Sequence, residues 1–230
     1  VNKDIGDILK NWDYNPKSDF IRIIIGDDNK EKIQVRVSLG ILQMEADGRP
    51  DGKRPNGEES LLDYYEKQIA NSKKSDGENN GFSLTEQDLK DLDVEIMQYY
   101  NRRVCFFAIN DYIRAKRDAE HNLCLMDIIK KYCDDKDYVE NHEQYRPFVI
   151  MERTRAAGLE SLKNKDYAIA MDFINDAIEK IHVFYGERGY NEENVERRHE
   201  LILLKKWREK IHQDWEGGVA DIDEDNYNIQ

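Results

Sequence analysis

The chain has 230 residues, with 35 Lys and Arg against 48 Asp and Glu, a net charge of −13 and a mean hydropathy of −0.87. That balance argues against nucleic acid and anionic membrane as partners, since both need positive charge where phosphates sit. No run of ~18 apolar residues is present to span a bilayer. Part of the acidity is local: 216–230 carries five acids and no base, and without it 35 bases still face 43 acids.

In chain order, VNKDIGDILKNWDYN lacks a basic n-region and an apolar h-region, so it reads as a short helix and not as a secretory signal. Phe20 to Ile25 is a β-branched run, followed by the turn residues Gly26 to Lys30. Ile33, Val35, Val37, Leu39 and Ile41 then alternate with polar or small residues, as a half-buried strand does. These two runs predict a two-stranded antiparallel β-hairpin over about 19–42 whose apolar face packs on helices or pairs with another chain. Residues 45–59, EADGRPDGKRPNGEE, hold two of the four prolines and read as a loop. Helical sequence follows from Ser60, then the polar loop 73–81.

Ser83-Leu-Thr-Glu86 has the pattern of a capping box, and it predicts a long helix over 84–117 with a break near 118–122. A helix over 123–132 follows, closed by the polar stretch 133–143. Pro147 suits a first helical turn, which predicts helices over about 145–163 and 167–185. The last helix runs from about 192 to 215, with Leu201, Leu204, Trp207 and Ile211 on one face. The tail 216–230 reads as disordered. The fold class is therefore mainly α, or α+β by layers: one domain, 1–215, formed by a multi-helix bundle with the N-terminal hairpin packed on it.

The segment MERTRAAGLESLKNKDYAIAMDFINDAIEKIHVFY places small residues at Gly158, Ala170 and Ala177 and large ones at Tyr167, Ile174, Ile178 and Ile181. Gly158 and Ala170 would let two antiparallel helices approach closely. The hairpin resembles a tetratricopeptide unit, whose small positions fall on Gly158, Ala170 and Ala177 and whose aromatic falls on Tyr167. It departs at Ser161, where an aromatic is usual, and at His182, where the closing Pro belongs. No second copy of the repeat is found. The same stretch is equally similar to the UVR motif of bacterial excision-repair proteins, where the turn pair would be Asp166-Tyr167. In that family the hairpin binds other proteins. LGILQMEADGRPDGKRPNGEESLLDYY (39–65) and QYRPFVIMERTRA (144–156) are similar to uncharacterised bacterial proteins that end in a UVR-like segment, and that likeness brings no activity with it.

No catalytic constellation is found: GxSxG, HExxH and a P-loop are all absent. Cys105, Cys124 and Cys133, without CxxC, read as buried free thiols of a reducing, cytoplasmic compartment. Glu179 with His182 and Glu196 with His199 form two ExxH pairs, a pattern that four-helix di-metal sites use, but both lie near one hairpin. No metal or cofactor is assigned. The most function-like feature is the 45–59 loop, where Arg49, Lys53 and Arg54 lie between and beside Asp47 and Asp51. Its arginines either pair with helix carboxylates of the same chain, or face a protein partner, or cradle a small anion. Tyr145 and Arg146 are a second candidate, either an interface anchor or an internally bridged helix start.

The expected function is a non-catalytic interaction or assembly subunit of a larger cytoplasmic complex, a filamentous multi-subunit enzyme among them. Its partners would be other protein subunits or a second copy of itself, with Arg49, Asp51, Lys53, Arg54, Tyr145 and Arg146 at the contact. The alternative is an anion-binding regulatory sensor that uses the same loop, and the weakest reading is a metal-dependent enzyme on the ExxH pairs.

Overall fold

The computed structural model describes residues 4–15, 20–76 and 82–217; of the expected polar loop 73–81, residues 73–76 are helical instead, and the rest, like the tail beyond Gly217, lies outside the described residues. The chain is mainly helical with a small antiparallel sheet. It divides into two compact units, Val1–Asp111 and Tyr112–Gln230, where the sequence suggests one domain.

The first unit begins with α1 (Gly6–Lys10) and a sheet of β1 (Ile21–Ile25), β2 (Glu31–Val37) and β3 (Gly40–Glu45) in the order β1-β2-β3. The expected hairpin is therefore a three-stranded meander. The alternating run 33–41 does not continue as one strand: it folds back at Ser38-Leu39, and Val37 pairs with Gly40. The two-residue turn shifts the parity, so positions 33, 35 and 37 share a face with 40, 42 and 44, and Ile41 falls on the opposite face from Val37. The two faces differ sharply. One is mostly apolar, with Ile21, Ile23, Ile25, Ile33, Val35, Leu42 and Met44 beside Glu31, and the other mostly polar, with Arg22, Lys32, Gln34, Arg36, Gln43 and Glu45 beside Ile24 and Ile41. The polar face satisfies itself across the strands. Arg22 donates to Gln34 and Gln34 to Gln43, and Lys32 bonds Asp28 and Glu45.

α2 (Leu61–Asp76) and α3 (Glu86–Ala108) complete the unit, with Leu61, Tyr65, Leu89, Leu92, Tyr99 and Phe106 in its core. The capping box of α3 lies two residues beyond the expected one. Thr85 is the N-cap, its hydroxyl accepts from the Asp88 amide at 3.2 Å, and Asp88 accepts from the Thr85 amide at 2.8 Å. Leu84 and Leu89 are both buried at the N′ and N4 positions, so burying Leu84 fixes where the helix can begin. The expected break near 118–122 is corrected to Ile109-Asn110-Asp111. Asn110 is left-handed at φ 57, its amide donates to Phe107 and that of Asp111 to Phe106. Asn tolerates this conformation better than most residues, and the two bonds close the helix.

The second unit runs through α4 (Tyr112–Tyr132), α5 (Lys136–Glu143), α6 (Arg146–Lys163), α7 (Tyr167–Gly186), α8 (Glu192–Glu196) and α9 (His199–Glu216). Asp118 and Asn122 are buried inside α4 and do not break it. The stretch read as polar linker forms α5, capped by Asp135. The last helix is two, α8 and α9, parted at Arg197-Arg198. α6 is the central helix, packed on α4, α7 and α9, and so it is buried on nearly every side. The α6–α7 turn closes on Lys165 at φ 61, with Asp166 donating to Ser161 and Lys165 to Leu162. Gly158 makes its close approach to Trp207 of α9, not to α7 as the hairpin pattern suggests. Of the cysteines, only Cys105 is buried; Cys133 is partly exposed, Cys124 is exposed, and all three are free thiols.

Candidate functional site

The 45–59 loop is held from below by α3. Arg102, only 1% exposed, donates through Nη1 to the carbonyls of Glu45 at 3.0 Å and Gly48 at 2.7 Å, and the Tyr99 hydroxyl donates to the Gly48 carbonyl at 3.2 Å. Gly48 has φ +64, which turns that carbonyl inward and favours glycine there. The Arg102 guanidinium also lies over the Tyr99 ring at 4.6 Å. An arginine in the apolar stripe of a long helix thus serves as the loop's anchor.

Glu95 is a second anchor and is 0% exposed. Its carboxylate accepts from the Leu61 amide at 3.0 and 2.9 Å and from the Leu62 amide at 3.2 Å, which caps α2 from a distant helix. Arg49 reaches the same carboxylate, Nη1 to Oε2 at 3.5 Å. Its Nε sits 3.1 Å from Asp51 and donates to Gln98 at 3.4 Å, while Gln98 donates to Asp51 at 3.1 Å. Arg49 is therefore turned into the chain, in line with the pairing to a helix carboxylate that the sequence offered as one alternative. Arg54 pairs with Glu59 at 2.7 Å and Lys53 stands 3.9 Å from Asp51, both exposed. The cleft over this loop, about 550 Å³, mixes Asp28, Glu31, Glu45, Asp47 and Glu59 with Lys30, Arg49, Lys53 and Arg54. Such a balance of signs does not concentrate positive charge for an anion.

Tyr145 and Arg146 belong to the other unit. Tyr145 is 60% exposed, whereas Arg146 forks onto buried Glu143, Nη2 to Oε1 at 2.6 Å and Nε to Oε1 at 2.9 Å, and reaches Asp127 at 2.8 Å. Lys130 and Arg188 each approach Glu143 at 3.5 Å. One buried carboxylate thus gathers three cations and ties the segment before α6 to α4 and to the end of α7. The two ExxH pairs meet through one member each: His182 Nε2 lies 3.2 Å from Glu196, which Lys205 also holds. Among the described residues no group of three or more His, Cys, Asp or Glu is placed to hold a metal ion, and no helix is long and apolar enough to cross a membrane.

Glu95, Gln98, Arg102 and Glu143 do not stand out in the sequence as parts of these networks. The signal was present, since a carboxylate, an amide and a guanidinium at 95, 98 and 102 interrupt an apolar stripe at helical spacing. On the apolar sheet face of the first unit the central Ile33 is fully buried, while Ile25 on β1 is 63% and Leu42 on β3 57% exposed. Compared with known proteins, this mainly helical chain with its small sheet matches no family model, no curated protein and no solved structure.

Proposed function

We propose that the protein is a non-catalytic interaction or assembly subunit that docks onto another protein subunit or onto a second copy of itself. The observation that carries this reading is the sheet face just described. Ile23 and Ile25 on β1 and Leu42 on β3 are exposed on either side of buried Ile33, on a sheet whose opposite face is largely polar. Exposed apolar side chains on the outer strands suit a contact site, and β1 and β3 are edges a partner strand can extend. Exposed Lys53, Arg54 and Tyr145 are the polar and aromatic contacts available on the surface, while Arg49 and Arg146 support the segments that present them. The resemblance of the α6–α7 sequence to protein-binding hairpins supports the same reading. Free thiols, one of them exposed, suit a reducing cytoplasm.

Native mass spectrometry of the protein from its own cells at low salt tests this. The expected result is a complex of several chains that the double substitution Ile25→Asp, Leu42→Asp dissociates without changing the thermal midpoint. A bare 27.2 kDa species would overturn the proposal.

A further inference from the structure

α3 presents two apolar faces. One carries Leu89, Leu92, Tyr99 and Phe106 into the core of the first unit. The other carries Lys90, Val94, Met97, Asn101, Val104 and Ala108, all exposed, at steps of four, three, four, three and four residues. Val94, Met97 and Val104 are each about half exposed. The outward face of a helix that packs on one side only is polar. Alternate steps of three and four are instead the seam of a two-stranded coiled coil, with Val94, Asn101 and Ala108 at a and Lys90, Met97 and Val104 at d.

The stripe is self-complementary. When two such helices lie antiparallel, a positions face d positions across a two-fold axis. One register then fills every layer: Val94 on the partner's Val104, Met97 on the partner's Asn101, and Lys90 on the partner's Ala108. A shift of one heptad leaves two of these six positions without a mate. The charges favour the same direction. Glu86, Asp91 and Asp93 flank the first half of the stripe, whereas 98–108 holds no acid and two arginines, Arg102 and Arg103. A parallel pair would set the three acids against their own copies; an antiparallel pair sets them against the half without acids. Asn101, a polar residue within the seam, works against slippage at a cost in affinity.

We infer that α3 pairs with α3 of a second copy of this chain as a short antiparallel coiled coil. The seam from Lys90 to Ala108 is about 27 Å long at the helical rise per residue. A single helix face of that length covers less than the ~800 Å² per partner that a standard interface buries, so the dimer is reversible and forms at micromolar concentration or above. It uses residues other than those of the sheet face on which the proposed assembly role rests, and neither reading needs the other.

Sedimentation velocity of the purified full chain, from low to high micromolar concentration, tests the inference. The expected result is a reversible monomer–dimer equilibrium whose Kd rises about tenfold or more when Met97→Glu and Val104→Glu are combined. Ile25→Asp with Leu42→Asp should leave that equilibrium unchanged, which separates this surface from the sheet face. Cross-linking reads the direction, in a background where Cys124→Ser and Cys133→Ser remove the accessible thiols. Val94→Cys chains should cross-link to Val104→Cys chains in a mixture, and neither to its own kind. These small substitutions still report on the pairing if the glutamate variant does not fold. A monomer at every concentration, or a dimer indifferent to the α3 variants, would overturn the inference. Val94→Cys chains joining one another would overturn the antiparallel pairing.

Discussion

Gly158 has no room for a β-carbon, because one built there overlaps the ring of Trp207, itself buried on α9. Gly158→Ala should therefore lower stability by about 1–3 kcal/mol, the usual cost of overpacking a well-filled core. Urea unfolding checks this, and an unchanged midpoint would show that the Trp207 ring can move aside. The buried acids set a larger scale. Glu143 is bound by the Arg146 fork and approached by Lys130 and Arg188. Glu143→Gln leaves those cations without their carboxylate and should cost about 3 kcal/mol, as breaking a buried pair does. Lys130→Gln, at the exposed edge of the same group, should cost less than about 1 kcal/mol. Comparable losses for the two variants in thermal melts would contradict a buried hub.

At the scale of the element, one of the hydrogen bonds that join α2 and α3 carries a pH signature. The Tyr65 hydroxyl donates to Asp88 at 2.7 Å. Burial first, and the Asp88 carboxylate next, push the Tyr65 phenol well above the ordinary tyrosine range. Burial also opposes the charge on Asp88, but the hydrogen bonds from Thr85 and Tyr65 outweigh it and hold that carboxyl below its usual value. The raised phenol contributes stability in full below about pH 10, the unfolded value, and loses it as pH rises beyond that. The lowered carboxyl contributes above about pH 4 and loses it as pH falls through the folded value. Wild-type protein should thus exceed Tyr65→Phe by about 1–2 kcal/mol on the plateau between these limits. The gap should narrow on both sides, and a pH-independent gap in urea midpoints would exclude the linkage.

For the whole molecule, the division at Asp111 and Tyr112 means that each unit carries its own core and its own buried carboxylates, Glu95 in one and Asp118, Glu143 and Glu152 in the other. A unit with its own core is expected to fold alone. Residues 112–230 produced separately should give a helical circular dichroism spectrum and a cooperative thermal transition. A gradual melt without a transition would show that this half depends on the other.

Helical period and stop signals were enough to place α6, α7 and the fold class, because Pro147, the apolar spacing and the turn at 164–166 act locally. The β1–β2 hairpin was legible for the same reason: β-branched runs flank a turn-rich stretch. The break at Asn110 lay within reach of the sequence as well, since Asn is a common left-handed cap. Other features were decided only in three dimensions. Alternation through Ser38-Leu39 suits one strand, and the pairing of Val37 with Gly40 selects two. Arg49 in a Gly- and Pro-rich loop is equally suited to a partner or to an internal acid. Glu95, some 46 residues away, binds it because that same carboxylate must also cap α2. Local order follows from neighbours in the chain, whereas the fate of a charge depends on which opposite charge the fold brings within reach.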